Sequence, residues 1–238
     1  LARAISKLGF CSRTQAAALV AAGRVRLNGA VRKNPQTPVQ LRRDTIEVDG
    51  QAIRAAEKLY WMMNKPRGIV TTAADEKGRQ TVYDYLRADL AWLAPAGRLD
   101  KASEGLLLLS NDSEWAARIL APETHLEKTY HVQIAAIADE RLLETMRRGV
   151  REGADFLRVT RASLLRHGER NSWLEIVLDE GKNRQIRRLL EALGVETMRL
   201  VRVAIGPLQL GDLGKGESRA LTSAEKAAID QEMEKKTI

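Results

Sequence analysis

Between Lys58 and Val203, strand patterns outnumber helical ones, and the two do not take turns along the chain. Segments 58–66, 94–100, 105–112, 128–134, 156–165, 172–180 and 196–203 read as strands, whereas helical spacing is confined to 81–87, 113–121, 139–149 and 184–193. A parallel sheet needs a crossover, usually a helix, between successive strands. The pattern therefore predicts an α+β fold with a mixed, mainly antiparallel sheet flanked by helices.

The first fifty residues are built differently. Ala4, Ile5 and Leu8 lie at helical spacing before Gly9, and Ser12 with Gln15 forms a capping-box pattern for a second helix bearing Ala16, Leu19 and Val20. Gly23 ends that helix, VRLNGAVRK reads as a hairpin around Asn28-Gly29, and DTIEVDG supplies a further strand. This divides the chain into a small α+β unit over 1–50, a polar linker over 51–57, a larger domain over 58–222 and a charged helical tail over 223–238.

Charge follows the same division. The chain carries a net +8, and residues 1–50 hold nine Lys or Arg against three acids. A compact basic module on a nearly neutral body suits a polyanion, with Lys7, Arg13, Arg24 and Arg26 as candidate RNA contacts. The single cysteine, Cys11, allows neither an intrachain disulfide nor a Cys-rich zinc site. The apolar run LLLLS is too short to span a bilayer, and LARAISKLGF lacks the apolar run of a signal peptide. A soluble, cytoplasmic, monomeric protein is the expectation. P-loop, GxGxxG and GxSxG patterns are absent, and His125, His131 and His167 lack zinc-type spacing, so neither a nucleotide cofactor nor a metal is expected.

Three segments could carry chemistry. In GRLDKASEGLLLLSND, two glycines bracket a polar loop that presents Asp100 between Arg98 and Lys101, ahead of a buried strand. Taken alone, this could equally be an ordinary turn aspartate. In KTYHVQI, Tyr130, Val132 and Ile134 share the apolar face of a strand, where a tyrosine can stack on a planar base or simply fill the core. In EGKNRQIRRLLEALG, Ile186, Leu189, Leu190 and Leu193 form one helical face and Arg184, Arg187 and Arg188 another, with Lys182 at the strand–helix junction. A solvated amphipathic helix would look the same.

Together these segments resemble the pseudouridine synthases of the RsuA/RluB type, as do NKPRGIVTT at 64–72 and LVRVAIGPLQLGDL at 200–213. The N-terminal CSRTQAAALVAAGRVRLNG is similar to the S4 RNA-binding domain. The resemblance covers nearly the whole chain, with Ser103 standing where the family often has Thr. It implies the pseudouridine synthase fold behind an S4-like domain, and isomerisation of uridine in ribosomal RNA, of the large subunit before the small. It assigns Asp100 as the catalytic carboxylate, Tyr130 as the residue packing on the target base and Lys182 as the cation paired with Asp100. Arg98, Arg184, Arg187, Arg188 and an apolar contact from Leu200 are expected to bind substrate. The implied partner is ribosomal RNA or a ribosome assembly intermediate. A non-catalytic RNA-binding or assembly factor would share the basic module without needing Asp100, Tyr130 and Lys182 together. A synthase acting on tRNA or another RNA would share all of them.

Overall fold

The computed structural model describes residues 1–72, 77–87 and 90–235. The N-terminal unit opens with α1 (Ala2–Lys7) and α2 (Arg13–Ala21). The Ser12 hydroxyl accepts from Gln15 N at 3.1 Å and the Gln15 side chain returns the bond to Ser12 N at 3.0 Å, completing the capping box. Four short strands follow, β1 (Val25–Leu27), β2 (Ala30–Val31), β3 (Ile46–Val48) and β4 (Gln51–Ala52), in the order β2-β1-β3-β4. Leu27 pairs with Ala30 across a two-residue turn in which Asn28 and Gly29 both have positive φ, 52° and 78°. That is the backbone an Asn-Gly hairpin favours. Ile5, Ala16, Val20, Val25, Leu27, Ile46 and Val48 close the small core. The expected linker is shorter than 51–57, because Gln51 and Ala52 extend the sheet by pairing with Val48 and Glu47.

The second unit is built on β5 (Tyr60–Lys65), β6 (Ala94–Ala96), β7 (Glu104–Ser110), β8 (Lys128–Ile134), β9 (Val150–Glu152), β10 (Asp155–Leu157), β11 (Arg161–His167), β12 (Ser172–Leu178), β13 (Thr197–Ile205), β14 (Leu208–Gln209) and β15 (Ser218–Ala220). Its helices are α3 (Ser113–Leu120), α4 (Glu140–Arg148), α5 (Gln185–Ala192) and α6 (Ser223–Lys235). The main sheet runs β11-β12-β8-β13-β7-β5-β15, with β14 beside β13 and β6 beside β7. Every pairing in it is antiparallel except β13 with β7. The mixed, mainly antiparallel sheet is therefore as expected.

Strand β7 is buried along its whole length because the sheet is covered on both faces there. Leu106 and Leu108 pack with Trp115 and Ile119 of α3 and Ile229 and Met233 of α6, while Leu107 and Leu109 pack with Met63, Ile69 and Leu99. A third cluster joins β8 and β12 to α4 and α5 through Val132, Ile134, Ile176, Leu143, Met146 and Leu189. The expected C-terminal helix runs over Ser223–Lys235 and is docked through Ile229 and Met233, and residues 236–238 lie outside the described residues.

Three expected elements differ. The 81–87 helix is a single 3-10 turn over Val82–Tyr85, capped by Thr81 and Asp84. Of the 94–100 strand only Ala94–Ala96 pairs, leaving GRLD as a loop. The 156–165 strand is broken at 158–160. Its first part, β10, forms a separate ribbon with β9, and its second part, β11, joins the main sheet.

Candidate active site

Asp100 sits on the loop between β6 and β7, and that loop is fixed from beneath. Lys65, fully buried at the end of β5, donates from Nζ to the carbonyls of Pro66 (3.0 Å), Asp100 (3.2 Å) and Ser103 (2.9 Å). Thr71 Oγ1 donates to Leu99 O at 2.8 Å and accepts from Leu99 N at 3.3 Å. Gly68 N reaches Lys101 O at 2.7 Å. Leu99 is buried, which leaves Asp100 half-exposed between an anchored neighbour and the exposed Lys101. Burial pushes the Lys65 ammonium down to about 8, with Asp100 and Glu104 opposing the shift and Arg202 adding to it. The three carbonyls match the three donors of an ammonium, so the charged form binds this loop best.

The Asp100 side chain faces a cavity of about 680 Å³. Tyr130, Leu178, Ile186 and Leu200 form an apolar part of its lining. Tyr130 lies on the same strand face as Val132 and Ile134, as its alternation predicted, and packs against the core on one side. Its hydroxyl has no hydrogen-bond partner among the described residues. Leu200 is 5% exposed and stands opposite Val132 in the ladder.

The cations divide unevenly. Lys182, expected to pair with Asp100, donates instead to Phe156 O at 2.9 Å and lies 3.1 Å from Glu180. The ion-pair approach to Asp100 comes from Arg184, whose Nη1 is 4.0 Å from Oδ2. Arg184 adopts a left-handed conformation (φ 50°) as the N-cap of α5, two residues beyond Lys182 in the segment that follows β12. Arg187 lines the cavity and holds the far end of the Asp100 loop through Ala102 O at 2.9 Å. Burial, with Arg184 nearby, lowers its pKa. Arg188 does not join them. It turns to Glu152 and to Asp155 (2.6 Å) on the β9–β10 ribbon, so its expected substrate contact is replaced by a structural ion pair. Arg98 is exposed at the cavity mouth.

Two residues in the site escaped the sequence reading. One is Lys65, hidden at the end of an apolar strand. The other is Arg202, which is 6% exposed, donates from Nε to Leu106 O at 2.7 Å and lines the same cavity. Its Nη2 is buried and has no partner among the described residues. The available signal was a charged residue two positions from Leu200, and so on the same face of a predicted strand.

In the N-terminal module, Lys7 pairs with Glu114 of α3 at 2.7 Å and Arg24 makes a two-point contact with Asp49 at 2.8 and 2.5 Å. Arg26 bonds only the Gly29 carbonyl at 3.3 Å, and Arg13 is exposed. Arg13 and Arg26 therefore have no acidic partner among the described residues, whereas Lys7 and Arg24 do. No group of three or more His, Cys, Asp or Glu suited to a metal ion occurs among the described residues. None of the described helices is long and apolar enough to cross a membrane.

Residues 59–192 match the model of the RNA pseudouridylate synthase family and residues 1–46 that of the S4 domain. The chain is 35% identical to the ribosomal large subunit pseudouridine synthase B of Bacillus subtilis (strain 168), over 94% of this chain and 93% of that protein. It is likewise 35% identical to an uncharacterized RNA pseudouridine synthase of Aquifex aeolicus (strain VF5), over 94% and 91%. A crystal structure of a pseudouridylate synthase superposes with a TM-score of 0.67 at 30% identity, covering 96% of this chain and 98% of that one. With a loop-borne aspartate, a strand tyrosine and an arginine converging on one cavity behind a basic S4 domain, the chain belongs to the RNA pseudouridylate synthase family and is an RNA-modifying isomerase.

Proposed function

We propose that this protein converts uridine to pseudouridine in ribosomal RNA, with the large subunit as the favoured target and Asp100 as the catalytic carboxylate. The observation that carries the reading is the position of Asp100. It stands on a loop pinned by Lys65 and Thr71, at the edge of a cavity walled by Tyr130 and Leu200, with Arg184 Nη1 4.0 Å away. The large-subunit assignment rests on the Bacillus subtilis relative, which is named for that substrate.

The reaction breaks the bond from uracil N1 to ribose C1′, turns the base and forms a bond from C5 to C1′. A proton leaves C5 and one is taken up at N1, so mass and oxidation state are unchanged. A fixed carboxylate is chemically sufficient as nucleophile or base for such an exchange. A paired uridine cannot reach Asp100, so the target base leaves its stack and enters the cavity against the Tyr130 ring. Arg184 orients the carboxylate, the role first expected of Lys182, and Arg187 holds its loop. The basic N-terminal module binds surrounding RNA through phosphate contacts, with Arg13 and Arg26 available for them.

The test uses purified protein and unmodified large-subunit ribosomal RNA. Asp100→Asn is expected to bind this RNA with wild-type affinity and form no pseudouridine. Turnover by the variant near the wild-type rate would remove Asp100 from the chemistry.

A further inference from the structure

The β9–β10 ribbon stands outside the main sheet and is fastened to α5, the helix that Arg184 caps. A two-stranded ribbon is marginally stable by itself, and this one is supported from one side. Arg188 of α5 pairs with Glu152 and, at 2.6 Å, with Asp155. Gln185 donates to Arg158 O at 2.9 Å, and Lys182 donates to Phe156 O at the same distance. Val150 and Leu157, opposite each other in the ladder, pack onto the core that α4 and α5 share with β8 and β12.

The outward face of the ribbon is open. Phe156 lies opposite Arg151, so both side chains leave on the same side, and Phe156 is 48% exposed. Its ring is seated rather than loose. Gly149 has a φ of +89°, and a Cβ there would stand 2.7 Å from Phe156 Cζ and 2.9 Å from Arg158 Cβ. The bare backbone at Gly149 therefore takes the ring on one side and brings Arg158 beside it. Arg151 and Arg158 are exposed, and their side chains make no ion pair or hydrogen bond with the described residues. The ribbon's own acids, Glu152 and Asp155, are both engaged by Arg188. What remains outward is an aromatic ring between two uncommitted guanidinium groups, on a backbone that cannot swing away.

We infer that this face is a stacking platform for an unpaired RNA base outside the target nucleotide, with the base on the Phe156 ring and the neighbouring phosphates on Arg151 and Arg158. The inference rests on the proposed function, which makes RNA the ligand. Unstacked bases lie on aromatic rings, every base has a face to offer, and flanking cations hold the backbone. One ring between two arginines provides too little apolar area for a stable protein interface. The platform is continuous with the catalytic cavity, because Lys182 lines that cavity and bonds Phe156 O. Lys182 thus holds the platform, which accounts for a cation that lies at the site without pairing with Asp100.

The experiment measures the affinity of the full chain for an unmodified large-subunit ribosomal RNA transcript across a salt series. Wild type is compared with Phe156→Ala, Phe156→Tyr and the double variant Arg151→Gln/Arg158→Gln. Phe156→Ala should bind about tenfold more weakly with an unchanged salt slope, because stacking releases no counterions. Phe156→Tyr should bind as wild type does. The double variant should make the slope of log affinity against log salt shallower by about 1.4, for two lost contacts to a single strand. Wild-type affinity in Phe156→Ala overturns the inference. So does an equal loss in Phe156→Tyr, which would trace the effect to packing on Gly149, and so does an unchanged slope in the double variant. If Phe156→Ala misfolds, Phe156→Leu keeps apolar bulk on Gly149 without the aromatic face, and the same loss is expected of it. Binding needs no turnover, so a protein without synthase activity would still test the platform. An active enzyme with wild-type affinity in Phe156→Ala would lose only the platform.

Discussion

Lys65 places a positive charge in the interior, where three carbonyls and the nearby Asp100 and Glu104 offset only part of the cost of burying it. Its titration gives this contact a pH signature. The unfolded chain keeps the Lys65 proton up to its ordinary 10.5, whereas the folded chain releases it near 8. Across that window the unfolded state holds more protons, so this group favours folding increasingly as pH rises, by about 1 kcal/mol per pH unit. Comparing urea unfolding of wild type and Lys65→Met at about pH 7.5 and about pH 9.5 should show the gap widening in favour of wild type at the higher pH. A constant gap would mean that Lys65 keeps an ordinary pKa. Cys11, raised by burial, and Tyr60, pushed up to about 12 by burial and its bond to Asp112, titrate in both proteins and cancel. Sequence could flag Asp100 and Tyr130, because a glycine-bracketed loop and strict alternation are local patterns. It could not pair Arg184 with Asp100, since that contact depends on one left-handed residue and on the meeting of segments more than eighty positions apart.

At the scale of elements, the site depends on one parallel pairing in an otherwise antiparallel sheet. Strand β13 lies beside β7 with Val201 opposite Glu104 and Arg202 opposite Gly105. This brings Leu200 and Arg202 to the Asp100 loop. Gly105 permits the approach: its φ is +100°, and a Cβ there would stand 2.2 Å from Arg202 O and 2.8 Å from Arg202 N. The colliding atoms are backbone, so neither can turn aside. Gly105→Ala should destabilise the protein by about 3 kcal/mol or more, read as a lowered urea midpoint. A midpoint within the error of wild type would show that the two strands can part without loss. Strands with clear alternation or continuous apolar runs, such as β7, β8 and β12, were legible in the sequence. The β9–β10 ribbon was not: β9, three residues long, carries too little pattern to stand out from the helix before it, and β10 read as the start of the strand that became β11. β14, of two residues, and β15, of three, are defined only by their partner strands.

In the whole molecule, a basic module and a catalytic body meet through few polar contacts. Lys7 of the module reaches Glu114 of α3, and the linker is tied to both sides, Ala56 N donating to Leu8 O at 2.9 Å and Glu57 O accepting from Asn111 of the body. The module core of Ile5, Val20 and Val25 is separate from the three clusters of the body. Removing residues 1–57 should therefore leave the body folded, with its unfolding transition retained, while weakening its binding to ribosomal RNA about tenfold or more through the lost phosphate contacts. Equal affinity in the truncated protein would contradict the docking role. The division into a basic unit and a nearly neutral body was visible from charge alone. Its boundary was not, because β4 is a two-residue strand within a stretch that reads as polar linker.

The most direct test of the central claim is a pseudouridine map of ribosomal RNA from cells with and without this protein, complemented with wild type or Asp100→Asn. The account predicts that one or a few large-subunit sites vanish on deletion, return with wild type and stay absent with Asp100→Asn. Sites restored by Asp100→Asn, or a map that deletion leaves unchanged, would contradict it.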